Sequence, residues 1–363
     1  MDEVGTFYSA EDESSGTHLA LRWNGRMRFT VPRNTAAQAA CWKLFRPGGL
    51  GVPLRAMTRL PRLLGAVTCV EAGPLLSIRK AIGKEGGLSC CRAGAEGVWS
   101  KDTILFLDKT AKPLYIVKAG TGASVDHLLQ NEAHWLRNLR DHASLVNNIP
   151  ELILHRSGTD LCFVAQRVTP GKLHFRLGAL QFEFLRRLRE YSAQPMLFED
   201  SKLQETLTSR VKGLSMLVSE EWSIRLERSM RRINENLCGT QILLSAAHND
   251  FTPWNIRIQN SRAYVFDWEY AAYEQLPMFD PLHFALLPAA LRRRPKAEMV
   301  KKMYEAVRIC RLWLGTEFCY YAQIQTLAYL MNICTLYLSS VQGNYVSHPV
   351  LDSYAYIIDR LSL

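Results

Sequence analysis

The sequence predicts an α+β chain, strand-rich over residues 85–168 and mainly helical over 169–363. Three observations carry that expectation. From residue 87 onward, short runs of β-branched and aromatic residues alternate with Gly, Pro and Asp turns, the signature of successive antiparallel strands. Val168-Thr169-Pro170-Gly171-Lys172 then breaks the pattern, since Pro and Gly together interrupt either regular structure. Beyond it, apolar residues recur at helical spacing, as in Leu180, Phe184 and Leu188. A chain of 363 residues, 48% hydrophobic and 21% charged, is long and apolar enough to build two such regions.

Residues 1–22 carry Asp2, Glu3, Glu11, Asp12 and Glu13 without an apolar run, so they make no signal peptide and are expected to form a weakly ordered arm. Residues 23–84 are punctuated by Pro and Gly, with short helices expected at Thr35–Leu44 and Ser77–Ile82. Lys43, Arg46, Arg55, Arg59, Arg62, Arg79, Lys80 and Lys84 stand there against Glu71. The plainer reading of 1–84 is an arm followed by a solvated basic cap packed on the strand-rich region. The second reading is peripheral contact with an anionic membrane through the basic 23–84 stretch.

Strands are then expected at Leu88–Arg92, Val98–Leu107, Leu114–Lys118, Glu151–Leu154 and Asp160–Arg167. Lys118 ends an apolar strand, where an inward ammonium requires a partner. The next helix, Asp126–Arg140, offers one. Leu128, Glu132, Leu136 and Leu139 fall on a single face, so Glu132 lies on a core-facing stripe where a lone charge would be costly. Helices are expected at Leu177–Tyr191, Leu203–Val218 and Glu221–Leu237, and then at 282–291, 296–314, 317–341 and 349–361. The apolar stretch Ile324–Val341 is interrupted by Gln325, Thr326 and Asn332, which suits a buried helix better than a membrane span.

Between those helices lies the segment richest in chemistry, His248-Asn249-Asp250-Phe251-Thr252-Pro253-Trp254-Asn255, with Asp267-Trp268-Glu269 beyond it. Two short strands, Ile256–Ile258 and Ala263–Phe266, flank Gln259-Asn260-Ser261-Arg262 and would return Asp267 to the mouth of the loop. Phosphoryl transfer from a metal-bound nucleotide needs this set: one Asp to orient and deprotonate a hydroxyl, and an Asn with a second Asp to hold Mg²⁺.

The segment resembles the catalytic loop of the aminoglycoside phosphotransferase and choline kinase superfamily, in which His-Gly-Asp is followed by Asn five residues after the Asp, and then by Asp and an aromatic. Asn249 stands here in place of the usual Gly, and Trp254 in place of a small residue. The resemblance implies a protein-kinase-like bilobal fold, with a small antiparallel-sheet N-lobe over 85–168 and a larger helical C-lobe over 169–363. It implies ATP, with GTP as the alternative, together with Mg²⁺ and a small hydroxylated acceptor. On this reading Asp250 is the base, Asn255 and Asp267 are the metal ligands, and Lys118 steadied by Glu132 places the α- and β-phosphates. Gly94 and Gly97 would let a turn lie over the phosphates through backbone N–H groups, and Gln166 to Val168 would meet the adenine through the backbone. His248 would support the loop, Asp280 in Pro277-Met278-Phe279-Asp280-Pro281 would brace it, and Glu269 would line the acceptor site.

A net charge of +10 suits polyanionic surroundings, but no nucleic-acid motif accompanies it, so no specific nucleic acid is expected. The helical half has no acidic block suited to a polycation, which favours a neutral or anionic acceptor such as a sugar, a sugar phosphate or a lipid-linked saccharide. Arg292-Arg293-Arg294-Pro295-Lys296 reads as a solvated loop. Nine scattered cysteines point to a reducing, cytoplasmic setting. Two rival functions are a protein kinase, whose Asp-Phe-Gly and Ala-Pro-Glu signatures are missing, and a non-catalytic nucleotide-binding regulator. The sequence carries no signal of oligomeric state.

Overall fold

The computed structural model describes residues 7–11, 15–23, 26–45, 55–56, 58–59, 66–83, 86–94, 97, 99–315, 321–340 and 348–362. The chain divides into two compact units, 1–137 with 150–168, and 138–149 with 169–363.

The first unit is a nine-stranded antiparallel sheet. Its strands are β1 (Tyr8–Ala10), β2 (His18–Trp23), β3 (Arg26–Pro32), β4 (Val67–Glu71), β5 (Leu88–Arg92), β6 (Asp102–Leu107), β7 (Pro113–Gly120), β8 (Leu152–Arg156) and β9 (Cys162–Arg167), in the order β1-β4-β2-β3-β5-β6-β7-β9-β8. Helices α1 (Thr35–Phe45) and α2 (Gly73–Ala81) lie within the first half of this unit, and α3 (Ala123–Arg140) follows β7.

Period-2 alternation builds the two faces. Ala20, Cys91, Ile104, Phe106, Val117, Phe163 and Ala165 pack on one side with Leu75 and Ile78 of α2. Leu19, Leu21, Cys90, Leu105 and Leu107 pack on the other with Ala37, Cys41 and Trp42 of α1. Adjacent Cys90 and Cys91 therefore serve opposite faces. Val125, Leu129 and Ala133 of α3 pack on Cys162 and Val164 of β9.

Two expectations are corrected here. The described part of residues 1–22, expected as a weakly ordered arm, supplies β1 and most of β2, with Tyr8 paired to Glu71 and His18 to Cys69. The described part of residues 23–84 holds helices at both expected places but also β3 and β4, so it adds strands to the sheet and is not only a cap packed on it. A largely buried ion pair on α2 and β4 is tied to β5. Arg79 reaches Glu71 through Nε at 2.6 Å, and Ser89 Oγ donates to Glu71 Oε1 at 2.6 Å. Tyr8 OH meets Ser89 Oγ at 2.8 Å. Of the basic residues assigned to the cap, Arg79 is thus buried at 4% exposure, while Arg46, Arg62 and Lys84 lie outside the described residues.

The second unit is mainly helical. It holds β10 (Lys172–Leu173), α4 (Ala179–Ser192), β11 (Gln194–Leu197), α5 (Lys202–Leu214), α6 (Glu220–Leu237), β12 (Gln241–Ala247), β13 (Ile256–Gln259), β14 (Arg262–Val265), β15 (Ala272–Gln275), α7 (Phe279–Leu291), α8 (Lys296–Leu314), α9 (Ala322–Ser340) and α10 (Pro349–Leu361). Two three-stranded sheets, β10-β13-β14 and β11-β12-β15, sit among the helices.

The Pro-Gly break has a steric basis. Gly171 has φ +95°, and a Cβ there would stand 2.6 Å from the Ile258 carbonyl oxygen of β13. Helix α9 is buried on nearly every side, from Ala322 to Leu338, which accounts for its apolar run. Among the described residues no helix is long and apolar enough to cross a membrane.

Candidate active site

Strand β7 turns Lys118 toward the face that α3 covers, and Glu132 of α3 meets it. Lys118 Nζ donates to Glu132 Oε1 at 2.9 Å and Oε2 at 2.8 Å. Lys118 is 7% exposed and Glu132 fully buried, so each charge depends on the other. Gln166 Nε2, from β9, adds a 3.4 Å contact to Glu132 Oε1.

Gly94 and the 166–168 segment are occupied differently from expectation. Gly94 donates its N–H to Asp102 Oδ1 at 2.9 Å, and a Cβ there would fall 2.4 Å from the Lys101 carbonyl. Its glycine is thus required by close approach of two strands, and its amide is not left for a phosphate. Gly97 has φ +141° and accepts from Ser100 N–H at 3.0 Å. Ala95, Glu96 and Val98 of the same turn lie outside the described residues. Arg167 N–H is taken by Glu151 O and Val168 N–H by Leu114 O. Contact between Val168 and a purine therefore cannot use its amide as donor.

In the second unit, β12 ends at Ala247 and the loop 248–255 leads into the β13–β14 hairpin. Asn260 and Ser261 at its tip have φ +50° and +54°, the two left-handed residues of a tight hairpin turn. The ladder runs from Gln259↔Arg262 to Ile256↔Val265 and continues as Phe266 N–H to Asn255 O at 3.1 Å. That register brings Asp267 back beside Asn255. Asp267 has φ +76°, a strained conformation for a residue with a Cβ, held by the hairpin and by buried Trp268.

The loop is pinned from three directions. Phe251, fully buried, stacks on Phe184 of α4 at 6.1 Å. His248 lies edge-on to Trp268 at 4.7 Å, and its Nε2 faces the Phe266 carbonyl oxygen at 3.1 Å. His248 Nδ1 accepts the Asp250 N–H at 3.3 Å. With one ring nitrogen accepting, the other must carry the proton, so His248 is a neutral structural link. Asp280, in the first turn of α7, receives the N–H groups of His248 at 2.8 Å and Asn249 at 2.9 Å. Burial pushes the Asp280 carboxyl up to about 6, although both amide donors pull the other way. Asn249 has φ +59°, so the position where the resembled loop carries Gly is left-handed here too. Asn tolerates that region, and its side chain donates to Tyr270 O at 3.1 Å.

Asp250 is half-buried, its side chain 22% exposed. Its Oδ2 accepts from Asn255 Nδ2 at 2.7 Å and its Oδ1 faces His283 Nε2 at 3.1 Å. Burial raises its carboxyl, and nearby Asp267 adds to this, while His283 and Asn255 oppose it. Among the described residues, Asn255 uses its Nδ2 for both of its side-chain hydrogen bonds, to Asp250 O and Oδ2. The carboxamide oxygen is the atom left for a cation, which fits the donor set Mg²⁺ takes. Glu269 is 6% exposed, more buried than a residue lining an open acceptor site.

Sequence reading missed His283, Tyr329, Tyr354 and the anchoring role of Phe251. One signal was available: Asp280 and His283 are spaced i, i+3 on one helix, so a brace for the loop and a partner for Asp250 share a face.

The sequence profile of the Phosphotransferase enzyme family (APH) matches residues 93–301, more than half of the chain. Among curated proteins none matches significantly. Among solved structures, a thermostable mutant of aminoglycoside phosphotransferase APH(4)-Ia in ternary complex with ADP and hygromycin B superposes with a TM-score of 0.55 at 13% identity, over 79% of this chain and 96% of that one. The apo form of such a mutant gives 0.54 at 14%, over 78% and 97%. At these identities the likeness is one of fold.

Proposed function

The chain belongs to the Phosphotransferase enzyme family, and we propose that it transfers the γ-phosphoryl group of ATP to a hydroxyl of a small molecule, with Mg²⁺. The observation that carries this reading is the Asp250 carboxylate, half-buried and held from both sides by Asn255 and His283 on a loop braced by Asp280. A carboxylate so fixed can accept a hydroxyl proton without first reorganising.

In this reading Asp250 orients the acceptor hydroxyl and takes its proton as the oxygen attacks the γ-phosphorus, the bond to the β,γ-bridging oxygen breaks and ADP leaves. Asn255 Oδ1 and the Asp267 carboxylate would hold Mg²⁺, which when bound would neutralise charge on the transferring phosphoryl group. Lys118, aimed by Glu132, binds the phosphates as a point charge. Asp280 and His248 keep the loop in register. Gly97 and the Val168 carbonyl would face the nucleotide.

The acceptor is proposed to be a neutral or anionic polyhydroxylated molecule, such as a sugar or sugar phosphate. The basis is the net charge of +10 and the lack of an acidic block in the helical half. All eight cysteines among the described residues are free thiols, which suits work in a reducing compartment.

The test is incubation with γ-labelled ATP and, in parallel, GTP, against a panel of sugars, sugar phosphates, aminoglycosides and choline, with a generic protein substrate as control. Label on a small hydroxylated acceptor is expected. Label on protein alone would replace this reading with a protein kinase.

A further inference from the structure

The carboxylate proposed as the base is the outer end of a buried hydrogen-bonded chain that runs through three helices. His283 of α7 sets Nε2 at 3.1 Å from Asp250 Oδ1. Its other ring nitrogen, Nδ1, lies 3.2 Å from Tyr329 OH of α9. Tyr329 OH lies 2.9 Å from Tyr354 OH of α10. His283, Tyr329 and Tyr354 are 4%, 1% and 0% exposed, so solvent cannot replace any link. The rings pack on one another: His283 and Phe279 each lie edge to face on Tyr329 at 5.9 Å, and Tyr329 lies tilted on Tyr354 at 6.0 Å.

The proton directions follow from the buried end. Tyr354 OH has one hydrogen-bond partner among the described residues, Tyr329. A buried hydroxyl proton without an acceptor costs more than a lone pair without a donor, so Tyr354 donates to Tyr329. Tyr329 then has its own proton to give, and His283 Nδ1 is the acceptor in reach. An imidazole that accepts at Nδ1 carries its proton at Nε2, where it faces the Asp250 carboxylate.

Resting on the proposed kinase function, we infer that His283 is a positioning residue for Asp250, fixed in the neutral Nε2–H tautomer by the Tyr354–Tyr329 chain. Its N–H holds Oδ1 of the carboxylate, as Asn255 holds Oδ2, and the remaining lone pairs are directed at the acceptor hydroxyl. The two tyrosines act only through the imidazole. A loop carboxylate is thereby tied to the helical core, so its orientation does not depend on the loop alone.

The experiment pairs a spectrum with kinetics on the full-length protein. Long-range ¹H–¹⁵N spectra of histidine-labelled wild type, His283→Leu, His283→Gln and Tyr329→Phe identify the His283 resonances and their protonation pattern. The neutral Nε2–H pattern is expected in wild type, and loss of a single tautomer is expected in Tyr329→Phe, where Nδ1 no longer has its donor. In kinetics, His283→Leu is expected to lower kcat about 10-fold to 100-fold, the worth of one hydrogen bond to a charged group. The KM for ATP should stay unchanged, and His283→Gln, whose amide can donate to the same oxygen, should recover most of the loss.

An Nδ1–H or imidazolium pattern in wild type overturns the inference. So does wild-type kcat in a folded His283→Leu or, if that variant does not fold, an unchanged spectrum in Tyr329→Phe. A wild-type protein that transfers no phosphate to any acceptor overturns the kinase reading instead, and the spectrum still decides the tautomer.

Discussion

Asp250→Asn is expected to lower the rate of phosphoryl transfer by about 10³-fold, within the range that general-base catalysis supplies, while ATP still binds. The replacement keeps the shape of the side chain but cannot accept a proton from a hydroxyl. Its carboxamide accepts only through oxygen, so one of the two groups that meet the native carboxylate, Asn255 Nδ2 or His283 Nε2, would face a second donor. The loop should nevertheless hold its place. Phe251, Trp268 and the two backbone N–H hydrogen bonds to the Asp280 carboxylate fix it independently of the Asp250 side chain. Single-turnover transfer to an acceptor from the panel gives the rate, and nucleotide titration with a melting curve separates chemistry from folding. Transfer at the wild-type rate would remove Asp250 from the mechanism.

Lys118→Ala is expected to abolish transfer and also to destabilise the first unit. The lysine is the ion partner of a glutamate with no exposed surface. Removing one member of such a pair strands the other charge, at a cost of about 3–5 kcal/mol. Replacing both with apolar residues, Lys118→Met with Glu132→Leu, should restore most of that stability because no charge is left in the interior. The double variant should still fail to bind nucleotide phosphates. Thermal unfolding and ATP titration on the single and double variants distinguish the two roles. Recovery of ATP affinity along with stability would show the pair to be structural only.

The parts of the site legible in the sequence were those encoded by local periodicity. Lys118 at the end of an apolar strand and Glu132 on the apolar stripe of a helix had to meet, since neither charge is tolerable alone, and they do at 2.8 Å. The β13–β14 hairpin was legible because its length and its Asn260-Ser261 tip fix the register that returns Asp267 to Asn255. Non-local features left no such trace. β1 pairs with β4 across about 60 residues of Pro- and Gly-broken chain, so three-residue β1 reads as loop. Gly94 read as phosphate-binding chemistry but serves strand packing against Lys101. His283 is one histidine in an apolar helix, and Tyr329 and Tyr354 lie in helices whose patterns announce only core. Their meaning is a matter of distance in three dimensions, which no spacing in the sequence encodes. Asn249 is an intermediate case: its departure from Gly is explained once its left-handed φ is known.

The proposal beneath all of these is that the chain binds ATP together with Mg²⁺. Calorimetric titration of wild-type protein with ATP, with and without Mg²⁺, tests it most directly. Saturable binding at one site per chain, strengthened by Mg²⁺ and losing that dependence in Asp267→Asn, is the predicted result. ATP binding that is absent, or indifferent to Mg²⁺ in a folded wild-type protein, would contradict it.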